Sequence, residues 1–181
     1  MNYCSHCGGK VTFGPVPDDD RPRFFCDTCN TVHYQNPNMI VGCLPRWEDK
    51  VLLCKRAIEP RCGLWTLPAG FLEIGEKVEE GALRETREEA NADVEIVRLF
   101  SVYNLPRVGQ VYLIFLADLR SLDFRAGKES QEVRLFKENE IPWQKMAFGA
   151  IKFTLEKYFE SQGNSHPHHE VYLGSLSRPW S

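Results

Sequence analysis

Residues 70–92 read GFLEIGEKVEEGALRETREEANA, from Gly70 to Ala92. The stretch from Glu76 to Asn91 has no proline and is rich in Glu, Arg and Ala, which predicts a helix. At 100° per residue, Val78, Ala82, Leu83, Thr86 and Ala90 fall on one apolar arc. Glu85 and Glu89 are four apart and lie at one edge of that arc, with Glu88 close to the same line. Carboxylates clustered beside a buried face repel one another and must be protonated or neutralised by cations. One reading is a solvated helix laced by i,i+4 pairs such as Glu80–Arg84. The loop just before it, Pro68-Ala69-Gly70, favours another: a tight approach whose carbonyl oxygens join the carboxylates. An oxygen-rich site of that kind suits Mg²⁺ or Mn²⁺.

Outward from this helix, strand-like and helix-like segments alternate. Asn38–Leu44 and Lys50–Arg56 are apolar runs around a turn at 45–49, which predicts a hairpin. The segment 59–70 reads as a shaped loop. Ile96–Tyr103, Gln110–Leu119 and Glu132–Lys137 read as strands; the second is almost wholly apolar and therefore central. Phe148, Ile151, Leu155, Tyr158 and Phe159 recur at helical spacing within Trp143–Ser161, which predicts an amphipathic helix over the sheet. The alternation predicts an α/β layered domain with a mixed sheet. Residues 163–181 carry no clear pattern, and His166, His168 and His169 there read as part of a polar tail.

Four of the seven cysteines form Cys4-x2-Cys7 and Cys26-x2-Cys29, with eighteen residues between the pairs. Each x2 spacing folds a knuckle that points two sulfurs at one place. Two knuckles together make a tetrahedral thiolate cage suited to Zn²⁺. With four sulfurs no coordination position stays open, so the zinc would be structural. A segment of about 35 residues buries too little surface to fold without such a staple. The sequence between the pairs reads as a short hairpin with a Pro/Asp loop. Within the first knuckle Cys7 is preferred to His6 as the ligand, and His33 is expected to face solvent or a loop. Cys43 and Cys54 sit in apolar runs and read as core, and Cys62 has no ligand spacing.

The helix and its approach resemble the box of the Nudix hydrolases, G-x5-E-x7-R-E-U-x-E-E-x-G-U, with U bulky and aliphatic. Gly70, Glu76, Arg84, Glu85, Glu88 and Glu89 all fall at the required spacing. Six such positions coincide by chance about once in ten million. Thr86, Asn91 and Ala92 depart from the pattern, although Asn tolerates the left-handed cap conformation. The resemblance implies a Nudix-type α/β/α sandwich over 37–162, a zinc ribbon over 1–36 and a tail over 163–181. It implies hydrolysis of a nucleoside diphosphate derivative by in-line attack of water on phosphorus. Glu85, Glu88 and Glu89 would ligate Mg²⁺ or Mn²⁺, with a carbonyl from Ala69 or Gly70, while Glu76 and Arg84 would pair to orient the helix face. A further carboxylate from across the sheet would be Glu129, in preference to Glu132. Arg107 and Tyr103 would contact substrate, the first at phosphate and the second by stacking.

The cysteine module followed by HYQNPNMIVG resembles the subgroup containing NADH, FAD and ADP-ribose pyrophosphatases. NADH enzymes carry SQPWPFPQS shortly after the box; the matching stretch here, Tyr103 to Gln110, shares a proline and the final polar residue. FAD or ADP-ribose is therefore the expected substrate, with NADH the alternative. A non-catalytic nucleotide sensor that binds nucleic acid is the rival of a different class. It should lose the box carboxylates and carry a basic stripe, whereas the formal net charge here is −3. Homodimer formation is compatible with the family. No apolar run approaches the ~20 residues a membrane helix needs. The N-terminus MNYCSHCGGK lacks a signal-peptide core, so a cytoplasmic protein is expected.

Overall fold

Helix α1 runs from Val78 to Ala90 in the computed structural model, which describes residues 1–162 and 170–176. It begins where the Glu80 carboxylate accepts a hydrogen bond from the Lys77 N–H at 3.0 Å, which also places negative charge at the positive end of the helix dipole. It ends at Asn91, whose φ of 47° and ψ of 29° are left-handed, with its N–H donating to the Arg87 carbonyl. The buried stripe is Gly81, Ala82, Thr86, Glu89 and Ala90, with Val78 and Leu83 at its margins. Thr86 donates its hydroxyl proton to the Ala82 carbonyl at 2.8 Å, so this polar residue is satisfied inside the helix.

The chain divides into two compact units, Met1–Asn36 and Pro37–Ser181. In the second, the sheet is built from β4 (Asn38–Trp47), β5 (Lys50–Arg56), β6 (Trp65–Thr66), β7 (Ala69–Phe71), β8 (Val94–Leu105), β9 (Gln110–Leu119), β10 (Ser130–Phe136) and β11 (Tyr172–Ser175). Its principal order is β10-β5-β4-β9-β8-β11, while β6 pairs with β5 and β7 with β4. The β4–β9 and β8–β11 pairs are parallel and the remaining pairs antiparallel, so the sheet is mixed, as expected.

Alternation along the strands makes two cores. Ile40, Leu44, Val51 and Leu53 face Ile151, Leu155 and Tyr158 of helix α2 (Gly149–Gln162). Val41, Cys43, Leu52 and Cys54 face Ala82 and Ala90 of α1. A one-residue slip of β4 or β5 would exchange the two sets, so the pattern locks the register. Leu52 and Leu53 are fully buried on opposite faces, each contributing about 1.5–3 kcal/mol. The result is an α/β/α sandwich, with Cys43 and Cys54 in its core as read.

Several element bounds shift from the sequence reading. Strand β4 continues through Pro45 to Trp47, and the hairpin turns on Glu48 and Asp49 instead of 45–49. Glu48 adopts a φ of 54°, which tightens the turn. The loop 59–70 contains β6 and begins β7. Residues 143–145 form a 3-10 turn that stops before α2. The C-terminal segment, read as patternless, supplies β11, which pairs in parallel with β8 from Tyr172↔Ser101 to Ser175↔Asn104. His166, His168 and His169 lie outside the described residues.

The first unit is a three-stranded antiparallel sheet of β1 (Thr12–Gly14), β2 (Arg23–Phe25) and β3 (Val32–His33). The β1–β2 hairpin is pinned by Phe13 against Phe24, ring centroids 5.0 Å apart, and by Arg23 on Asp19 at 2.9 Å. Among the described residues no helix is long and apolar enough to cross a membrane.

Candidate active site

Strand β7 delivers the backbone of Ala69 and Gly70 to the edge of α1. Gly70 has a packing reason to be glycine: a Cβ there would lie 2.5 Å from Glu85 Oε1. The Glu85 carboxylate therefore rests against bare backbone. Arg84 holds it there, its Nη1 donating to Glu85 Oε1 at 2.6 Å and to Glu88 Oε2 at 3.2 Å. The same guanidinium donates from Nε to Glu76 Oε1 at 2.6 Å and from Nη2 to the Phe71 carbonyl at 3.0 Å. One arginine thus ties the approach loop, the helix and three carboxylates. The i,i+4 partner read for it, Glu80, pairs with Lys77 instead.

These groups line a cleft of about 680 Å³. Its walls carry the carboxylates of Glu59, Glu73, Glu85, Glu88, Glu89 and Glu129 against the guanidiniums of Arg56, Arg61 and Arg84. Glu89 is 6% exposed, and burial first, then the charge of Glu85, pushes its carboxyl up to about 8. Burial also raises Glu85, against the lowering influence of Arg84. Glu76, at the far side of Arg84, is held below the ordinary carboxylate range by that arginine. Glu129 acts electrostatically on both Glu85 and Glu89. No three carboxylates among the described residues converge as tightly as the cysteines below. The set fits a divalent cation: hard oxygen donors, a cradle that a Cβ on residue 70 would fill, and six carboxyl groups facing three guanidiniums.

Glu129 reaches the cleft because the loop before β10 is strapped to the end of α1. Arg125 N–H donates to the Ala90 carbonyl and Gly127 N–H to that of Glu89, both at 2.9 Å, while Asn91 Nδ2 donates to the Arg125 carbonyl at 3.1 Å. These bonds satisfy carbonyls that a helix end leaves unpaired. A Cβ on Gly127 would collide with the Glu88 carbonyl oxygen, so only glycine allows the approach. Glu132, the other candidate, lies on β10 opposite Lys55 and is not among the residues that line the cleft.

Two predicted substrate contacts are not brought into the cleft. Tyr103 is buried, with its ring 5.0 Å from Phe153, and β11 lies alongside it in register with Gly174. The strand that covers it is the one the sequence reading did not see. Arg107 stands exposed in the turn between β8 and β9, outside the residues that line the cleft. The cleft wall is instead completed by Arg56, Tyr112 and Phe148, which the sequence reading did not assign. The faint signals were an arginine ending an apolar strand and a tyrosine inside the central one.

In the N-terminal unit, the ligand sulfurs of Cys4, Cys7, Cys26 and Cys29 all lie within 4.8 Å of one another. Cys4–Cys29 and Cys7–Cys26 are the cross pairs, at 3.6 and 3.5 Å. Sulfurs about 2.3 Å from a common tetrahedral centre stand at such separations, so the donor set fits Zn²⁺. The Thr31 hydroxyl beside Cys29 pulls that thiol down to about 6. His33 does not simply face solvent: its Nε2 lies 3.2 Å from Cys4 Sγ. The β2–β3 pairing carries it there, and it buttresses the cluster.

Comparison with known proteins matches residues 37–156 to the NUDIX domain and residues 2–35 to the module described as Nudix N-terminal. An ADP-ribose pyrophosphatase of Methanocaldococcus jannaschii is 34% identical over 119 residues, covering 64% of this chain and 69% of that protein. A NAD-capped RNA hydrolase of Photobacterium profundum is 31% identical over 121 residues, covering 67% of this chain and 44% of that enzyme. A crystal structure of a NUDIX hydrolase from Nitrosomonas europaea superposes with a TM-score of 0.91 at 53% identity, over 97% of this chain and 99% of that one.

Proposed function

Because this chain belongs to the Nudix hydrolase family, we propose that its cleft hydrolyses the pyrophosphate bond of an ADP-ribose-type nucleoside diphosphate, ADP-ribose itself or FAD, releasing AMP and the second phosphate. The observation that carries the reading is the Glu85 carboxylate seated on Gly70, with Glu88, Glu89 and Glu129 on the same cleft. The kinship with an ADP-ribose pyrophosphatase supports the substrate class.

In this reading Glu85, Glu88, Glu89 and Glu129, with a carbonyl of Ala69 or Gly70, hold Mg²⁺ or Mn²⁺. When bound, the cations supply positive charge to the phosphoryl oxygens and lower the pKa of water. Glu89 holds a proton in the free protein near neutral pH and must release it to serve as a full anion. Arg84, fixed by bonds to five acceptor atoms, keeps Glu85 and Glu88 oriented while Glu76 anchors its other edge. The ribbon cysteines hold a structural zinc and take no part in the chemistry.

A second reading, cleavage of NADH or a NAD-terminated molecule, is supported by kinship with the NAD-capped RNA hydrolases. One assay separates the two: ADP-ribose, FAD and NADH with Mg²⁺ or Mn²⁺, products resolved by chromatography. AMP from ADP-ribose or FAD at the highest kcat/KM supports the proposal. A dominant NADH signal favours the second reading, and no cleavage of any of them refutes both.

A further inference from the structure

The wall of the cleft opposite the carboxylates gathers around one ring. Phe148 is placed where the Ala147 N–H donates to the Trp65 carbonyl at 2.8 Å, just before the first turn of α2. The Arg56 guanidinium lies over this ring, 5.2 Å from its centroid, and its Nε donates to the Pro60 carbonyl at 2.9 Å. Tyr112 stands on another side, centroids 6.5 Å apart. Arg56 ends β5, Tyr112 lies within β9, and Phe148 immediately precedes α2, so three separate parts of the chain converge.

The polar ends of this group are left without protein partners. Among the described residues, neither Nη of Arg56 donates a hydrogen bond to the protein, and the Tyr112 hydroxyl has none. Tyr112 is only 6% exposed, yet it lines the cleft. The hydroxyl itself is not sealed in, since Ser130 Oγ is the buried side-chain polar atom left without a partner among the described residues; Tyr112 lines the cleft, where a ligand can accept its proton. Arg56 acts electrostatically on both this hydroxyl and Glu89. Burial keeps the phenol protonated, hence a donor. The adjoining helix end adds a third preference for negative charge: α2 is fourteen residues long and starts at Gly149, directly after the cleft-lining Phe148.

We propose that Arg56 and Tyr112, arranged around Phe148, form an anion subsite that grips the phosphate of the nucleoside monophosphate half of the substrate. This rests on the hydrolase reading and deepens it. The carboxylate wall serves the phosphorus on one side of the scissile bond, and protein donors hold the phosphate on the other. The cleft then selects substrates with two linked phosphates over phosphomonoesters.

Calorimetric titration of the full chain with AMP and with adenosine, in Mg²⁺ buffer, tests the subsite. Tyr112→Phe should weaken AMP roughly 10- to 100-fold, the range for a hydrogen bond to a charged group, and leave adenosine unchanged. Arg56→Gln should weaken AMP at least as much, with Arg56→Lys partly restoring it. In turnover, Tyr112→Phe should raise KM by the same factor with kcat within about threefold, as expected for a contact made equally in the ground and transition states. Its melting temperature should stay at the wild-type value, since the hydroxyl bonds nothing in the protein. Unchanged AMP affinity, an equal loss for adenosine, or a wild-type chain that does not bind AMP overturns the subsite. If no diphosphate is cleaved but the AMP-specific loss appears, the subsite stands and the hydrolase reading falls.

Discussion

The Glu85 carboxylate occupies the space that a Cβ on residue 70 would take, with Oε1 2.5 Å from where that carbon would sit. Gly70→Ala must therefore push Glu85 aside, against its bond to Arg84. The displaced atoms are the end of a flexible side chain, so the fold should survive. Misplacement of a reacting geometry by about 1 Å costs on the order of 100-fold in rate. We expect Gly70→Ala to lose about that much kcat/KM while circular dichroism and the melting temperature stay near wild type. Full activity in this variant would show that Glu85 need not sit where it does.

Glu89 supplies a test in pH. Its carboxyl is raised to about 8 in the fold, from the ordinary 4.5. Between those values the folded chain keeps a proton that the unfolded chain has released. Stability without divalent cations should therefore fall as pH climbs from about 4.5 to 8, and the loss should be complete above 8. Glu89→Gln cannot ionise, so it should melt about 5 °C above wild type at pH 8 and show no gain near pH 4. The same variant should lose at least ~100-fold in turnover with Mg²⁺, since charge stabilisation at such sites is worth several kcal/mol. Matching melting curves at both pH values would contradict the buried-acid reading.

The thiolate cluster makes a separate prediction. Metal analysis should find one zinc per chain. Cys26→Ser, or zinc chelation, should unfold residues 1–36 and leave residues 37 onward with native hydrogen-exchange protection, because all four cysteines of the cluster belong to the first compact unit. Collapse of protection throughout the chain would show that the two units fold as one.

Much of this was legible before any coordinates. The period of α1, its carboxylates and the Cys-x2-Cys pairs are local patterns, and spacing alone places their side chains together. Asn91 could be read as a left-handed cap because few residues adopt that conformation. What escaped was assembled by tertiary contact. Arg56, Tyr112 and Phe148 come from three parts of the chain separated by dozens of residues, and each alone reads as an ordinary strand or helix residue. Tyr103 was misjudged for a related reason: it is paired in register with Tyr112 on the same sheet face, but β11 and Phe153 cover one and leave the other on the cleft. Glu129, preferred from the sequence, lines the cleft and Glu132 does not; the backbone hydrogen bonds to the end of α1 that bring its loop there are not encoded in composition.

The strap at Gly127 also constrains how the chain can change length. With residue 127 docked on the Glu88 and Glu89 carbonyls, the path from β9 up to residue 124 can bulge outward and leave the acid at 129 undisturbed. One residue added between 127 and 129 would instead rotate that acid off its mark. Tolerance to insertion should therefore break sharply at a single peptide, and a systematic scan of added glycines along this connection would read out the break as a step in activity.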